Sequence, residues 1–287
     1  MNSQQEQPSQ NGHQAAGAGG ARAGKLAAIR KDPKGWIVLV LAVLAITVFF
    51  GAAFGSGIGL WGWKAGLAIL PWTGLAALIA LIIAVIGIIW DRRKARKTRW
   101  PLLGLGIIVS LGFIGYLGSY VMTSISLPAI HDITTDLADP PQFSTLTLRA
   151  DNWDKIPGAE DDKMRGMNPR QRWATLHQRA YPDIRSVRID QPVSQVIEKA
   201  KRLAEDRGWN VVNADPDSGH LEATATISLF RFKEDVVIRA RPAENGDASI
   251  IDMRSVSRVC VHDLGTNAKR VRQFLSDLSG TTTTASQ

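Results

Sequence analysis

Three long stretches of this chain carry apolar side chains with no charge to interrupt them, and the remainder alternates apolar and polar positions on shorter periods. Residues 36–58 are 23 positions without a charge. As a helix at about 1.5 Å per residue they span roughly 34 Å, enough to cross a hydrocarbon core of about 30 Å. A second uncharged stretch covers 65–90 and a third 100–130, of which 102–124 would lie in lipid. Lipid offers no partner to an unpaired backbone amide, so a helix is the only open-ended way across. The pattern therefore predicts three transmembrane helices. Trp61, Trp63, Trp72, Trp90, Trp100 and Tyr120 fall near the predicted ends, where amphipathic rings settle at headgroup level. Small residues at Gly51, Gly55, Gly59, Gly104, Gly112, Gly115 and Gly118 would let helices approach closely.

After residue 127 the periods shorten. Val193, Val196, Ile197, Ala200, Leu203 and Ala204 recur at helical spacing behind Pro192, and Gly208 supplies a stop. A second helix follows Gly265 and ends at Gly280, with Ala268, Val271, Phe274, Leu275 and Leu278 as its apolar stripe and Asp263 or Asn267 as cap. Between them lie strands at 209–214, 221–229, 235–241 and 249–258, with turn formers at Asp215-Pro216-Asp217-Ser218-Gly219 and Asn245-Gly246. If Asn245-Gly246 is a two-residue turn, Arg241 faces Ile250, Arg239 faces Asp252 and Val237 faces Arg254. Ile238, Ala240, Ile251 and Met253 then share one side, and Arg239, Arg241, Asp252, Arg254 and Arg258 the other. The expected class is a helical membrane region followed by an α+β domain, an antiparallel sheet of about four strands with two helices on its apolar face. Residues 184–189 are a candidate further strand.

Composition changes the picture only when it is divided. The formal charge is +8, which would suggest a polyanion partner. Residues 1–126, however, hold 12 basic and 3 acidic side chains, whereas 127–287 hold 22 and 23. The basicity is a collar around the helices, and nucleic acid is not an expected partner. Arg22, Lys25, Arg30, Lys31 and Lys34 precede the first span, only Lys64 follows it, and Arg92, Arg93, Lys94, Arg96, Lys97 and Arg99 follow the second. The excess of Lys and Arg on cytoplasmic segments predicts a cytoplasmic N-terminus, a multi-pass inner-membrane protein and a periplasmic C-terminal domain. Residues 1–34 read as a disordered basic lead and 281–287 as a flexible tail. The spans themselves carry no Asp, Glu, Lys, Arg or His, so transport is unsupported. A single Cys260 excludes an internal disulfide and a cysteine zinc site.

Directly after the third span comes Ile130-His131-Asp132-Ile133-Thr134-Thr135-Asp136-Leu137-Ala138-Asp139-Pro140-Pro141-Gln142-Phe143. Further on stand Tyr181-Pro182-Asp183-Ile184, Asp252-Met253-Arg254-Ser255-Val256-Ser257-Arg258 and Asp263-Leu264-Gly265-Thr266-Asn267-Ala268-Lys269-Arg270-Val271-Arg272. These four ordered motifs resemble the domain-of-unknown-function 1499 family of bacteria and plants, over about residues 128–278. The resemblance implies no activity, cofactor or catalytic residue. The chain departs from the family pattern at Cys260, where that pattern has a small residue, usually Gly.

Three readings of the motifs remain open. In the first, a non-enzymatic domain binds an anionic envelope ligand or partner protein, with no cofactor. Arginine's planar fork suits carboxylate and phosphate, which makes Arg239, Arg254, Ser257, Arg258, Asp263 and Asn267 candidate ligand residues. In the second, His131, Asp132 and Asp136 serve a metal-dependent or acid/base hydrolase. Ser255 and Ser257 lack the strand-turn-helix elbow that sharpens a nucleophile, and Cys260 fits a small buried side chain. In the third, the acidic segment folds across the arginine face and pairs with Arg254 and Arg258, making the motifs determinants of the fold.

Overall fold

The computed structural model describes residues 33–227, 229–243 and 246–280. The expected disordered lead, apart from its last two residues, the expected tail and Asn245 lie outside the described residues. The chain forms two compact units, one of residues 33–55 and 61–118, the other of 56–60 and 119–280.

In the first unit three helices, α1 (Pro33–Gly57), α2 (Trp63–Arg93) and α3 (Trp100–Ser126), extend each apolar stretch by a few residues. All three are long and apolar enough to cross a membrane. Their contact surfaces are built largely from small side chains, with Ala42, Ala45, Ala53, Ala77, Ala80 and Ala84 at most 1% exposed, joined by the buried Val38, Phe49, Leu103 and Phe113, while Phe54, Trp72 and Ile108 are more than 60% exposed. The backbone of α3 comes close to α1 at Gly106, where a Cβ would stand 2.8 Å from Val38 Cγ1 and 2.9 Å from the Leu39 amide nitrogen. Only Gly55 of the glycines expected to mediate contact meets a neighbour, the Trp61 ring; Gly51, Gly59, Gly104, Gly112, Gly115 and Gly118 face open space. Alanine fills the interface instead because a methyl group packs there without leaving a void. Lys34 and Asp91, which flank the uncharged spans, form an ion pair.

The second unit is α+β with a six-stranded antiparallel sheet rather than about four strands. Its strands are β1 (Asp132–Thr134), β2 (Val187–Ile189), β3 (Asn210–Asp215), β4 (His220–Thr226), β5 (Lys233–Pro242) and β6 (Ser249–Ser257), in the order β1-β6-β5-β4-β3. β2 shares the free edge of β6 with β1, pairing at 249–251 while β1 pairs at 254–256. The β5–β6 register is as the sequence predicts: Arg241 is opposite Ile250, Arg239 opposite Asp252 and Val237 opposite Arg254. The connection is longer than a two-residue turn, since Ala243 N–H donates to Ala248 O at 2.8 Å and Gly246 N–H to Ala243 O at 2.9 Å. A symmetric lengthening leaves the register unchanged. Gly219, at φ +71, ends the β3–β4 turn; a Cβ there would stand 2.2 Å from Ala240 O, so a side chain is excluded.

Helices α5 (Val193–Asp206) and α6 (Thr266–Ser279) contribute their apolar stripes to the core with Leu221, Ile238, Ile251 and Met253. A third helix, α4 (Pro169–Ala180), was not expected from periodicity. It starts from a capping box in which Asn168 Oδ1 accepts from Gln171 N–H and Gln171 Oε1 from Asn168 N–H, each at 2.9 Å, with Pro169 in the first turn. α4 closes the outer edge of β1: Trp173 Nε1 donates to Asp132 O at 2.7 Å, and Thr134 N–H donates to His177 Nε2 at 3.2 Å. An edge satisfied by side chains cannot template another strand.

Candidate functional site

Neither face of β6 is open to water. Asp252, Arg254, Ser255 and Ser257 are all at most 2% exposed, because the segment following β1 crosses the polar face as a strap. Along that strap the acids of the first motif meet the arginines of the sheet. Arg254 forms a fork with Asp132, Nε to Oδ1 at 3.0 Å and Nη2 to Oδ2 at 2.7 Å, and its Nη1 donates to Pro141 O at 3.2 Å. Arg239 donates to Asp139 at 2.7 Å, to Asp252 at 3.1 Å and to Asp136 at 3.2 Å. Asp252 also accepts from Arg241, Thr135 and Ser186. Arg258 pairs within the sheet, with both Asp235 oxygens at 2.8 Å.

The strap is anchored at its far end by Glu222 on β4, which the sequence reading did not single out. The Glu222 carboxylate accepts from the amides of Ser144 at 2.6 Å, Thr145 at 3.0 Å and Leu146 at 2.6 Å, and from the Ser144 hydroxyl at 2.6 Å. His220 Nε2 lies 2.7 Å from the same carboxylate. Burial alone would raise its pKa, but the Ser144 hydroxyl, His220 and these amides hold it down at about 2.

A second polar cluster lies on the helix side of β6. Ser255 Oγ donates to Asn267 Oδ1 at 2.6 Å, and Ser257 Oγ to Glu234 at 3.2 Å. Arg270 joins them, donating to Asn267 Oδ1 at 2.7 Å and Ser255 Oγ at 3.1 Å while ion-paired to Glu234. Leu264 and Gly265, at φ +53 and +77, turn the chain so that Asp263 accepts from the amides of Gly265 and Asn267, both at 2.9 Å. Gly265 holds the N-cap position of α6; Asp263, one of the two caps the sequence offers, lies two residues before it and accepts the Asn267 amide, while Asn267, the other, lies inside the first turn. Burial pushes the carboxyls of Glu234 and Asp263 up, and the Cys260 thiol with them. Burial and Asp263 raise the Tyr181 hydroxyl to about 12.

His131 and Asn152 join the two clusters. His131 Nε2 is 3.2 Å from Asn152 Oδ1, Asn152 Nδ2 donates to Asp132 at 2.7 Å, and Asn267 Nδ2 donates to His131 O at 3.0 Å. Burial and the nearby Arg149 lower the His131 pKa. The sequence candidates therefore fall into two sets. Arg239, Arg254, Asp132 and Asp136 belong to the strap, Ser257, Asp263 and Asn267 to the α6 side, and Arg258 to a separate pair on β5. His131, Asp132 and Asp136 do not converge: Asp132 faces Arg254 and Asp136 faces Arg239. Among the described residues no group of three or more His, Cys, Asp or Glu could hold a metal ion, so a hydrolase built on that trio is unsupported.

A concave surface lies beside the second cluster. A groove of about 560 Å³ along α6 is lined by Arg207, Trp209, Lys269, Arg270 and Asp277 among others. Trp209 stacks on Phe274 with ring centroids 5.0 Å apart, and Arg207 lies over the Phe274 ring while paired to Asp277. Arg270 reaches both the groove and the buried Glu234. The sequence pointed to Lys269 and Arg270 only as residues of the helix start; Arg207 and Trp209 gave no signal because tertiary packing alone brings them there.

A comparison with curated proteins finds no match. Residues 132–278 match a family described as protein of unknown function (DUF1499). That range begins at the first residue of β1 and ends one residue before the last of α6, so it coincides with the strap, the sheet and its helices. The chain is a membrane protein that belongs to the DUF1499 family, its domain preceded by three apolar helices of membrane length.

Proposed function

We propose that this chain is a membrane-anchored, non-catalytic binding module. Its family motifs hold the fold, and its ligand, an anion or an acidic patch on a partner protein, occupies the groove along α6. The observation that carries this reading is that the arginines of the sheet are already matched by internal carboxylates, whereas in the groove Arg207 pairs with Asp277 and Arg270 with the buried Glu234, which leaves the exposed Lys269 beside them with no ion pair among the described residues. A concave site with a few converging polar groups and an aromatic wall suits a small ligand. The anion panel of inorganic phosphate, citrate and glycerol phosphate is the test, read as thermal stabilisation of the full-length protein in detergent. Stabilisation by at least one anion is expected, weakened roughly fivefold in affinity by Lys269→Gln, the change for one exposed charge pair. No response to any anion, or a response unaffected by Lys269→Gln, would remove the groove from this reading.

The proposed setting is the inner membrane, with the N-terminus in the cytoplasm and the DUF1499 domain in the periplasm. The Lys and Arg counts of the flanking segments support that orientation. A reporter active only in the periplasm, fused after Gly280, should be active; a dark periplasmic reporter with an active cytoplasmic one would invert it.

A further inference from the structure

The three sheet connections near the hairpins differ in chemistry. The β3–β4 turn is Asp215-Pro216-Asp217-Ser218-Gly219 and the β5–β6 connection includes Glu244, Asn245, Gly246 and Asp247, the polar composition expected of a solvated turn. The β4–β5 connection instead reads Ile227-Ser228-Leu229-Phe230-Arg231-Phe232, followed by Lys233. Its ends close through Ile227 N–H to Phe232 O at 2.8 Å, and Phe230 and Phe232 stack with ring centroids 5.3 Å apart. Leu229, Phe230 and Phe232 are half-buried, and Arg231, at φ +53, is exposed.

The position of this tip identifies what it meets. It lies within the unit that includes residues 56–60, and a Cβ on Gly57 would stand 3.1 Å from Arg231 Cγ and 3.4 Å from Leu229 O. Gly57 is the last residue of α1, and the exposed Ile58, Leu60 and Trp61 that follow mark the level at which the chain leaves the hydrocarbon. An odd number of spans puts the connection after α1 and everything after α3 on the same side of the bilayer. Within its own unit the tip therefore packs beside the last residue of α1. Apolar and aromatic side chains flanked by cations, with no acid before Glu234, are the composition that settles at the boundary of headgroups and acyl chains.

We propose that the β4–β5 hairpin tip is a lipid-surface anchor, with Leu229, Phe230 and Phe232 in the headgroup region of the chain's own bilayer and Arg231 on lipid phosphate. It tethers the DUF1499 domain at a second point, independently of any ligand in the α6 groove. The test uses the full-length protein with Cys260→Ser in vesicles of phosphatidylcholine and phosphatidylglycerol. A polarity-sensitive fluorophore is attached at Phe230→Cys or, as control, at Asp217→Cys on the polar β3–β4 turn, and unchanged thermal unfolding of each variant checks the fold. The expected result is a blue-shifted label at 230, quenched by nitroxide lipids labelled near the headgroup, with no such quenching at 217. Adding Arg231→Glu should reduce the quenching at 230. A label at 230 quenched by aqueous iodide and not by nitroxide lipids would overturn the proposal. So would a blue shift that appears only at high protein density and is quenched by neither iodide nor nitroxide lipids, which would mean that a second copy covers the tip.

Discussion

The two units of this chain solve the burial of apolar surface in opposite ways. In the helical unit most large side chains point outward, Ile108 being 69% and Trp72 68% exposed, and the interior is mainly alanine and glycine with a few larger residues, Val38, Phe49, Leu103 and Phe113. In the DUF1499 domain the large side chains are inside, with Trp173, Phe274, Ile238 and Met253 fully buried, and a charged layer is sealed in as well. Lipid is as apolar as leucine, so the helices gain by close backbone approach rather than by withdrawing side chains from solvent. The domain faces water and must satisfy every polar group that it encloses. The family motifs belong to that second problem: most of their charged side chains are spent on internal partners, Asp132 on Arg254 and Asp183 on Arg272 within the motifs, Asp136, Asp139 and Asp252 on Arg239, Arg258 on Asp235 and Arg270 on Glu234.

Perturbing each unit by its own rule sharpens the contrast. Outside the Asp132–Arg254 pair, the largest effect is expected from Glu222→Ala, which leaves the amides of Ser144, Thr145 and Leu146 without their acceptor. A loss of about 3 kcal/mol is expected, in the range for hydrogen bonds to a charged group, measurable by denaturant unfolding. Next, Ala80→Leu forces a large side chain into a helix contact that Ala80 fills at 0% exposure; overpacking should cost about 1–3 kcal/mol in the helical unit and leave the unfolding of the DUF1499 domain unchanged. The smallest effect is on pH dependence. Burial lowers the His177 pKa from 6.5 to about 4, so between those values the unfolded chain binds more protons than the folded one. Stability should fall as the pH drops from about 6.5 toward 4, by at most about 1.4 kcal/mol per unit from this residue. His177→Gln should flatten that slope without abolishing it, because His131 is shifted in the same direction. Glu234 and Asp263, raised by burial, act in the opposite sense, losing their contribution as pH rises through their folded pKa values.

Periodicity made much of this fold legible. The apolar runs of α1 to α3 are long enough to have one physical reading, and the alternation of β5 and β6 fixes a register that survives a longer turn. What stayed hidden has particular causes. β1 is three residues with one apolar side chain, Ile133, so no alternation marks it, and its existence depends on β6 and α4. α4 has a weakly apolar composition, yet Asn168-Pro169 followed by Gln171 carries a capping-box signal that could have located its start. The strap was legible as a possibility in the acids of residues 131–139, but Asn152 and Glu222 are joined to it, and Glu234 to Ser257 and Arg270, only by long-range contacts. The glycines of α3 misled because small residues permit close contact without requiring it.

The central claim is that the buried arginine of the polar face is a structural partner of the acidic segment. The most direct measurement is a double-mutant cycle on Asp132→Ala and Arg254→Ala in the full-length protein, following unfolding of the DUF1499 domain. Removing either partner leaves the other buried and uncompensated, so each single change should cost about 3–5 kcal/mol, and the double change should cost far less than the two together. Near-neutral singles, with stabilisation by an added anion lost on Arg254→Ala, would contradict it and return Arg254 to the ligand site.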